Sequence, residues 1–148
     1  MPITLATARQ LKAAGLPWIP ALHDFFSIPD RGLDDKVFVI ADMTVIVEVL
    51  YGSPAVTFHG SAEWALDYLI VSETVWLPTE EQLRDRLEQR LLDPGLNPDR
   101  AEPVLRLERT VDGYHCAIHW HGRPLTFDAA DASEAYAVAL LHMLRSST

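Results

Sequence analysis

Ten residues, Gly113 to Gly122, hold three of the chain's six histidines and its only cysteine: GYHCAIHWHG. Imidazoles and thiolates bind metals, and a thiolate beside an imidazole is a nucleophile with its base. Spacing decides which of these chemistries the stretch can support. On a strand, successive side chains point to opposite faces. Tyr114, Cys116, Ile118 and Trp120 then share one face, and His115, Ala117, His119 and His121 share the other. The first set is apolar and should face the core, so the histidines should face water or a groove. Cys116 is expected to behave as a small apolar residue, which sets a Cys–His nucleophile aside. His119 and His121 are the candidate metal pair, because a strand-borne His-x-His can supply two of the four ligands of zinc. His115 lies about 13 Å from His119 along a strand and cannot join the same ion. A third ligand would have to come from His59, Asp128 or Glu63, and no spacing in the chain demands one of them. The simpler reading is an amphipathic strand whose polar face uses histidine, so no metal and no cofactor is assigned.

The remaining chemistry-bearing residues are less pointed. Glu63 and Asp67 stand at i and i+4, where two carboxylates can project together, although such a pair is usually a solvated helix face. Asp24, Asp30, Asp34, Asp35 and Asp42 surround an aromatic segment without the spacing of a calcium loop. Ser27, Ser53 and Ser61 lack a G-x-S-x-G context. There is no dinucleotide fingerprint, no HExxH and no CxxC. No catalytic residue is therefore assigned, and a non-enzymatic role is expected. Trp18, Phe25 and Phe26 are the partner-binding candidates. They sit in LPWIPALHDFFSIPDRGLDD, which holds three prolines and a glycine and reads as an irregular segment pinned to the body by its aromatics.

Recognisable elements surround these residues. Thr4 caps a helix over 4–15, which ends at Gly15 before Pro17. Val37–Ala41, Thr44–Tyr51 and Ala55–His59 are β-branched and aromatic runs joined by short breaks, as in antiparallel hairpins. Ser61 opens a helix to about residue 72, with Trp64, Ala65, Tyr68 and Leu69 on one stripe. TVWLP is a short strand. Thr79 and Gln82 form a capping box for a helix to about Leu92, with Leu83, Leu87 and Leu91 on its buried face. After a proline-rich loop, Val104–Val111 and Tyr114–His121 flank the turn signal Asp112-Gly113. Leu125–Asp128 is a third strand, and Asp131 starts a last helix to about Leu144 that buries Ala135, Val138 and Ala139. The fold class is α+β in a single domain over 1–148, with antiparallel sheets covered by helices in the order αβββα-β-αβββα. Short turns leave no room for parallel crossovers.

The order of elements repeats, and PAVTFHGSAEWALDYLI resembles RPLTFDAADASEAYAVALL. An internal duplication with pseudo-repeats 1–73 and 79–146 accounts for this, as does ordinary reuse of strand–cap–helix junctions. Duplication predicts that Phe58 and Phe127 occupy equivalent places.

Twelve basic against 21 acidic residues give a net charge of −9, and no basic patch interrupts it. Such a chain is repelled by phosphate, which argues against nucleic acid and anionic membranes as partners. No apolar run approaches the roughly 18 to 20 residues of a membrane span. MPITLATARQ lacks the pattern of a signal peptide, and a single cysteine allows no intrachain disulfide. A cytoplasmic location is expected.

LKAAGLPW, DDKVFVIADMTV, EWALD, VWLPTEEQLRDRL and ERTVDGYHCAIHW, followed by an alanine-rich last helix, resemble a family of small uncharacterised bacterial proteins. Some of its members carry an automatic pilus-assembly label. The resemblance covers most of the chain and implies no activity, cofactor or site residue. The ATPase chemistry behind that label needs a G-x-x-x-x-G-K-[ST] loop, which this chain lacks. Three strands followed by a helix with Ser133-Glu134-Ala135 near its start also resemble, in topology, antitoxins of the HicB type. Two functions of different classes follow. One is a non-enzymatic protein that binds a protein partner or a second copy of itself, with an acidic antitoxin-like or immunity-like inhibitor as a specific form. The alternative is a small metal-dependent enzyme or sensor built on His119 and His121.

Overall fold

The computed structural model describes residues 3–30, 32, 36–40, 45–50, 53–58, 68–70 and 73–146. Its elements are α1 (Leu5–Ala13), β1 (Phe25–Ser27), β2 (Phe38–Val39), β3 (Val45–Leu50), β4 (Ser53–Phe58), β5 (Tyr68–Ile70), β6 (Val75–Trp76), α2 (Glu80–Leu91), β7 (Leu105–Thr110), β8 (Gly113–Trp120), β9 (Arg123–Ala129) and α3 (Ala132–Ser146). The fold is α+β, and every strand pair is antiparallel. The strands form three sheets, ordered β2-β1-β6, β3-β4-β5 and β7-β8-β9. The chain divides into two compact units, one of residues 1–16 and 78–148, the other of residues 17–77.

The first unit is built on local signals. The Thr4 side chain accepts the Thr7 N–H at the start of α1, and Gly15 supplies the left-handed φ of 94° that stops it. Thr79 and Gln82 close a reciprocal capping box on α2, whose Leu83, Leu87 and Leu91 are wholly buried. Asp131 accepts the Glu134 N–H at 2.9 Å to open α3. Glu134 in turn accepts from the Thr4 backbone N–H and the Thr7 hydroxyl, both at 2.8 Å, so α1 is tied to the start of α3. α3 buries Ala135, Tyr136, Ala139, Leu140 and Met143 against the inner face of β7-β8-β9, while Val138, expected inside, is exposed.

In the second unit the structure departs from the sequence expectations in three places. Phe25–Ser27 is a strand, although three prolines surround it, because β2 and β6 flank it on both sides. The strand expected over 37–41 is reduced to β2 and joins β1, leaving β3 and β4 to pair with each other. Tyr68–Ile70 is a strand paired with β4, not the end of a helix. Its aromatic and aliphatic side chains suit a strand as well as a helical stripe, and pairing across the sheet decides between them. The observed order of elements therefore differs from αβββα-β-αβββα in the first half. The helix start at Ser61 and Trp64 lies outside the described residues, as do His59, Glu63 and Asp67.

Candidate functional site

In the first unit, β8 runs between two partners and carries the histidine-rich stretch. Cys116, Ile118 and Trp120 are buried beneath α3, whereas His115 and His119 are half-buried and His121 is exposed. The alternation is that expected of a strand with one wet face. Burial pushes the Cys116 thiol up to about 12, which keeps it a protonated, inert core side chain.

The hairpin turn between β7 and β8 is centred on Val111-Asp112, one residue earlier than Asp112-Gly113. Gly113 pairs with Thr110 at φ 133°, and a Cβ there would lie 2.7 Å from the Ala129 carbonyl oxygen. The glycine thus serves a close backbone approach and not the turn corner. Val111, left at the corner, is almost wholly exposed.

The outer face of this sheet is polar. Cross-strand pairing sets Glu108, His115 and Asp128 in one row and Arg106, Ala117 and Thr126 in the next. His115 Nδ1 lies 2.5 Å from Asp128 Oδ1, and its Nε2 lies 2.8 Å from Thr110 Oγ1. Hydroxyl, imidazole and carboxylate therefore stand in the order of a nucleophile, its base and an orienting acid. The same Thr110 oxygen accepts the Asp112 N–H, and Asp128 is largely solvated. A cleft of about 260 Å³ lies further along the strands, lined by Glu102, Pro103, Arg106, His119, Pro124 and Thr126. Thr110 is at the opposite end of β7 from that cleft. A molecule bound in that cleft would sit beside His119 and Arg106, and the Thr110–His115–Asp128 hydrogen bonds link all three strands of the sheet.

The two metal candidates are not brought together. β8 ends at Trp120, and His121 and Gly122 turn the chain at φ 52° and 75°. The His121 ring stacks on Trp120 with centroids 4.2 Å apart, and its Nε2 lies 3.0 Å from the Leu96 carbonyl oxygen. His119 stays on the outer face, with Nδ1 buried and without a hydrogen-bond partner among the described residues. The same-face expectation fails because it extends the strand by one residue into a left-handed turn. Among the described residues no group of three or more His, Cys, Asp and Glu side chains is arranged to hold a metal ion.

Asn97, within the proline-rich loop, organises this end of the sheet. It is fully buried. Its Nδ2 donates to the Leu91 and His119 carbonyl oxygens at 3.0 and 2.9 Å, and its Oδ1 accepts the His121 N–H at 3.0 Å. One amide thus joins the end of α2 to the end of β8. Its only sequence signal is its place between two prolines, Pro94 and Pro98, in a segment that has to be ordered.

In the second unit, Trp18 and Phe26 belong to an aromatic cluster. Trp18 stacks on Trp76 at 6.2 Å and 3°, Phe26 lies 5.6 Å from Phe38, and Trp18 Nε1 donates to Asp24 at 2.8 Å. Phe26 is wholly buried. Phe25, its neighbour on an extended strand, points the other way and is half-buried. Phe25 pairs with Val39, so these two share the opposite face of β2-β1, and Val37 lies immediately before β2. Val37 and Val39 are 55% and 44% exposed, and Ile19 and Leu22, in the approach to β1, are 86% and 48% exposed.

No family model matches the chain, and neither a curated protein nor a solved structure matches it.

Proposed function

We propose that this protein is a non-enzymatic binding module whose partner docks on the apolar face of β2-β1 and the segment leading into it. One observation carries the reading. Half of the large apolar side chains found exposed among the described residues, Ile19, Leu22, Val37 and Val39, fall within 21 positions of one another. Exposed aliphatics concentrated in one stretch of the chain, beside an aromatic cluster, suit a protein interface, whereas singly scattered ones need no explanation. The net charge of −9 favours a basic partner, as in an acidic inhibitor of the antitoxin or immunity kind. Among the described residues no helix is long and apolar enough to cross a membrane.

The test is comparative capture from cells that make the protein. Val37→Glu with Val39→Glu should abolish recovery of the partner, and Val138→Glu, an exposed aliphatic on α3, should leave it intact. Equal recovery with both variants would overturn the docking face.

A further inference from the structure

The open edge of β7 carries an inference about the other unit, independent of the docking face just described. Among the described strands β7 pairs with β8 alone, so its far edge presents unpaired backbone groups. The pattern of those groups follows from one bond. His119 donates its N–H to the Val104 carbonyl oxygen at 3.1 Å, so this opposed pair is a hydrogen-bonded one. Such pairs alternate along an antiparallel ladder. Arg106 and Glu108 therefore also turn their peptide groups toward β8, while Leu105, Leu107 and Arg109 turn theirs to the open edge. The opposite edge of the sheet is blunted: Pro124, next in the alternation after the Trp120–Arg123 pair, has no N–H to offer there.

We propose that β7 pairs antiparallel with β7 of a second copy about a two-fold axis at Leu107, continuing one sheet through both subunits. In this register Leu107 meets the partner's Leu107, and Leu105 meets the partner's Arg109. These are the residues whose N–H and C=O groups face outward, so every pair can exchange both of its hydrogen bonds. Between them Arg106 stands opposite the partner's Glu108, and Glu108 opposite the partner's Arg106. They fall in the wide pairs, where side chains lie closest. The self-complementarity follows from an Arg-x-Glu spacing centred on the axis, which is what an isologous contact demands. Within one chain the two side chains already lie 3.2 Å apart on the outer face, both more than half exposed, and so are positioned for a partner. Leu105 and Leu107 face the core side but stay only half-buried, unlike Cys116 and Ile118 beside them on β8, and a second β7 would cover them.

Sedimentation velocity on the full chain over a range of concentrations tests this directly. The wild type should form a dimer. Arg106→Glu and Glu108→Arg alone should each weaken it by roughly tenfold or more, since each places like charges opposite one another twice. The double exchange should restore it, because both the intrachain and intersubunit pairs are rebuilt with reversed polarity. Amide hydrogen exchange gives a second readout, independent of mutation. On dilution from dimer to monomer the Leu105, Leu107 and Arg109 amides should lose protection, while Arg106 and Glu108, bonded to β8, keep theirs. A monomer at every concentration would overturn the proposal. So would a dimer indifferent to the single exchanges, or one whose dissociation leaves the alternate amides unchanged.

Discussion

Asn97 and Cys116 are the residues whose environments make the sharpest demands. Asn97→Ala removes three hydrogen bonds and leaves the Leu91 and His119 carbonyls and the His121 N–H without that partner. Stranding buried polar groups costs about 1–3 kcal/mol each, so urea unfolding should show a loss of at least that size. Asn97→Asp keeps the shape and the acceptor but loses both donors, and should recover only part of the stability. Cys116 links to pH with a definite sign. Its thiol, raised from 9.0 to about 12 by burial, stays protonated in the folded chain while the unfolded chain ionises. The folded state therefore holds an extra proton across that window, and this contribution to stability is full below about pH 9 and falls as pH rises towards 12. Alkylation of the native protein at pH 8 should be slow, and rapid once the chain is unfolded; fast native alkylation would mean that β8 is turned over. The sequence made the place of Cys116 legible because strand alternation needs only neighbours. The role of Asn97 was illegible, since its three partners lie 6, 22 and 24 residues away.

Elements differ in how locally they are encoded. α2 was readable end to end from Thr79, Gln82 and a leucine every fourth residue. Its cap is a testable part: Thr79→Ala should cost about 0.5–2 kcal/mol by chemical denaturation, whereas Glu81→Ala, without a capping role, should cost little. The hairpin β7-β8 was readable in existence but not in turn register. Asp-Gly suggests a turn centre, yet the approach of the Ala129 carbonyl claims Gly113 for the strand. Gly113→Ala should therefore destabilise by more than about 1 kcal/mol, since it combines a forbidden φ with a 2.7 Å approach to backbone. A neutral Gly113→Ala would contradict that placement. β1 and β5 escaped sequence reading for a different reason. Each is three residues long, too short for periodicity, and β1 is strand only because β2 and β6 flank it.

At the scale of the molecule, α1 is separated from α2 in sequence by the whole second unit, yet both belong to the first. The compact units thus cut across the two sequence halves whose similarity suggested a duplication, and Phe58 and Phe127 lie in different units. Each unit offers one surface of distinct character. The first has an outer sheet face of paired polar side chains and an edge suited to a second copy. The second has an aromatic cluster of the half-buried Trp18 and the buried Phe26, and an apolar face with Phe25 and Val39. Phe25 and Phe26 are adjacent on an extended strand, so one ring is buried and the other faces the opposite side. Which aliphatics would join Phe25 depended on the β1–β2 pairing, which lies beyond sequence periodicity. The proposed function requires that this face meet a partner. A photo-reactive amino acid placed at Val39, with a matched one at Val138 on α3, tests it in the cells that make the protein. The account predicts a discrete protein adduct from position 39 and none from position 138. Adducts from position 138 alone, or the same adducts from both, would contradict it.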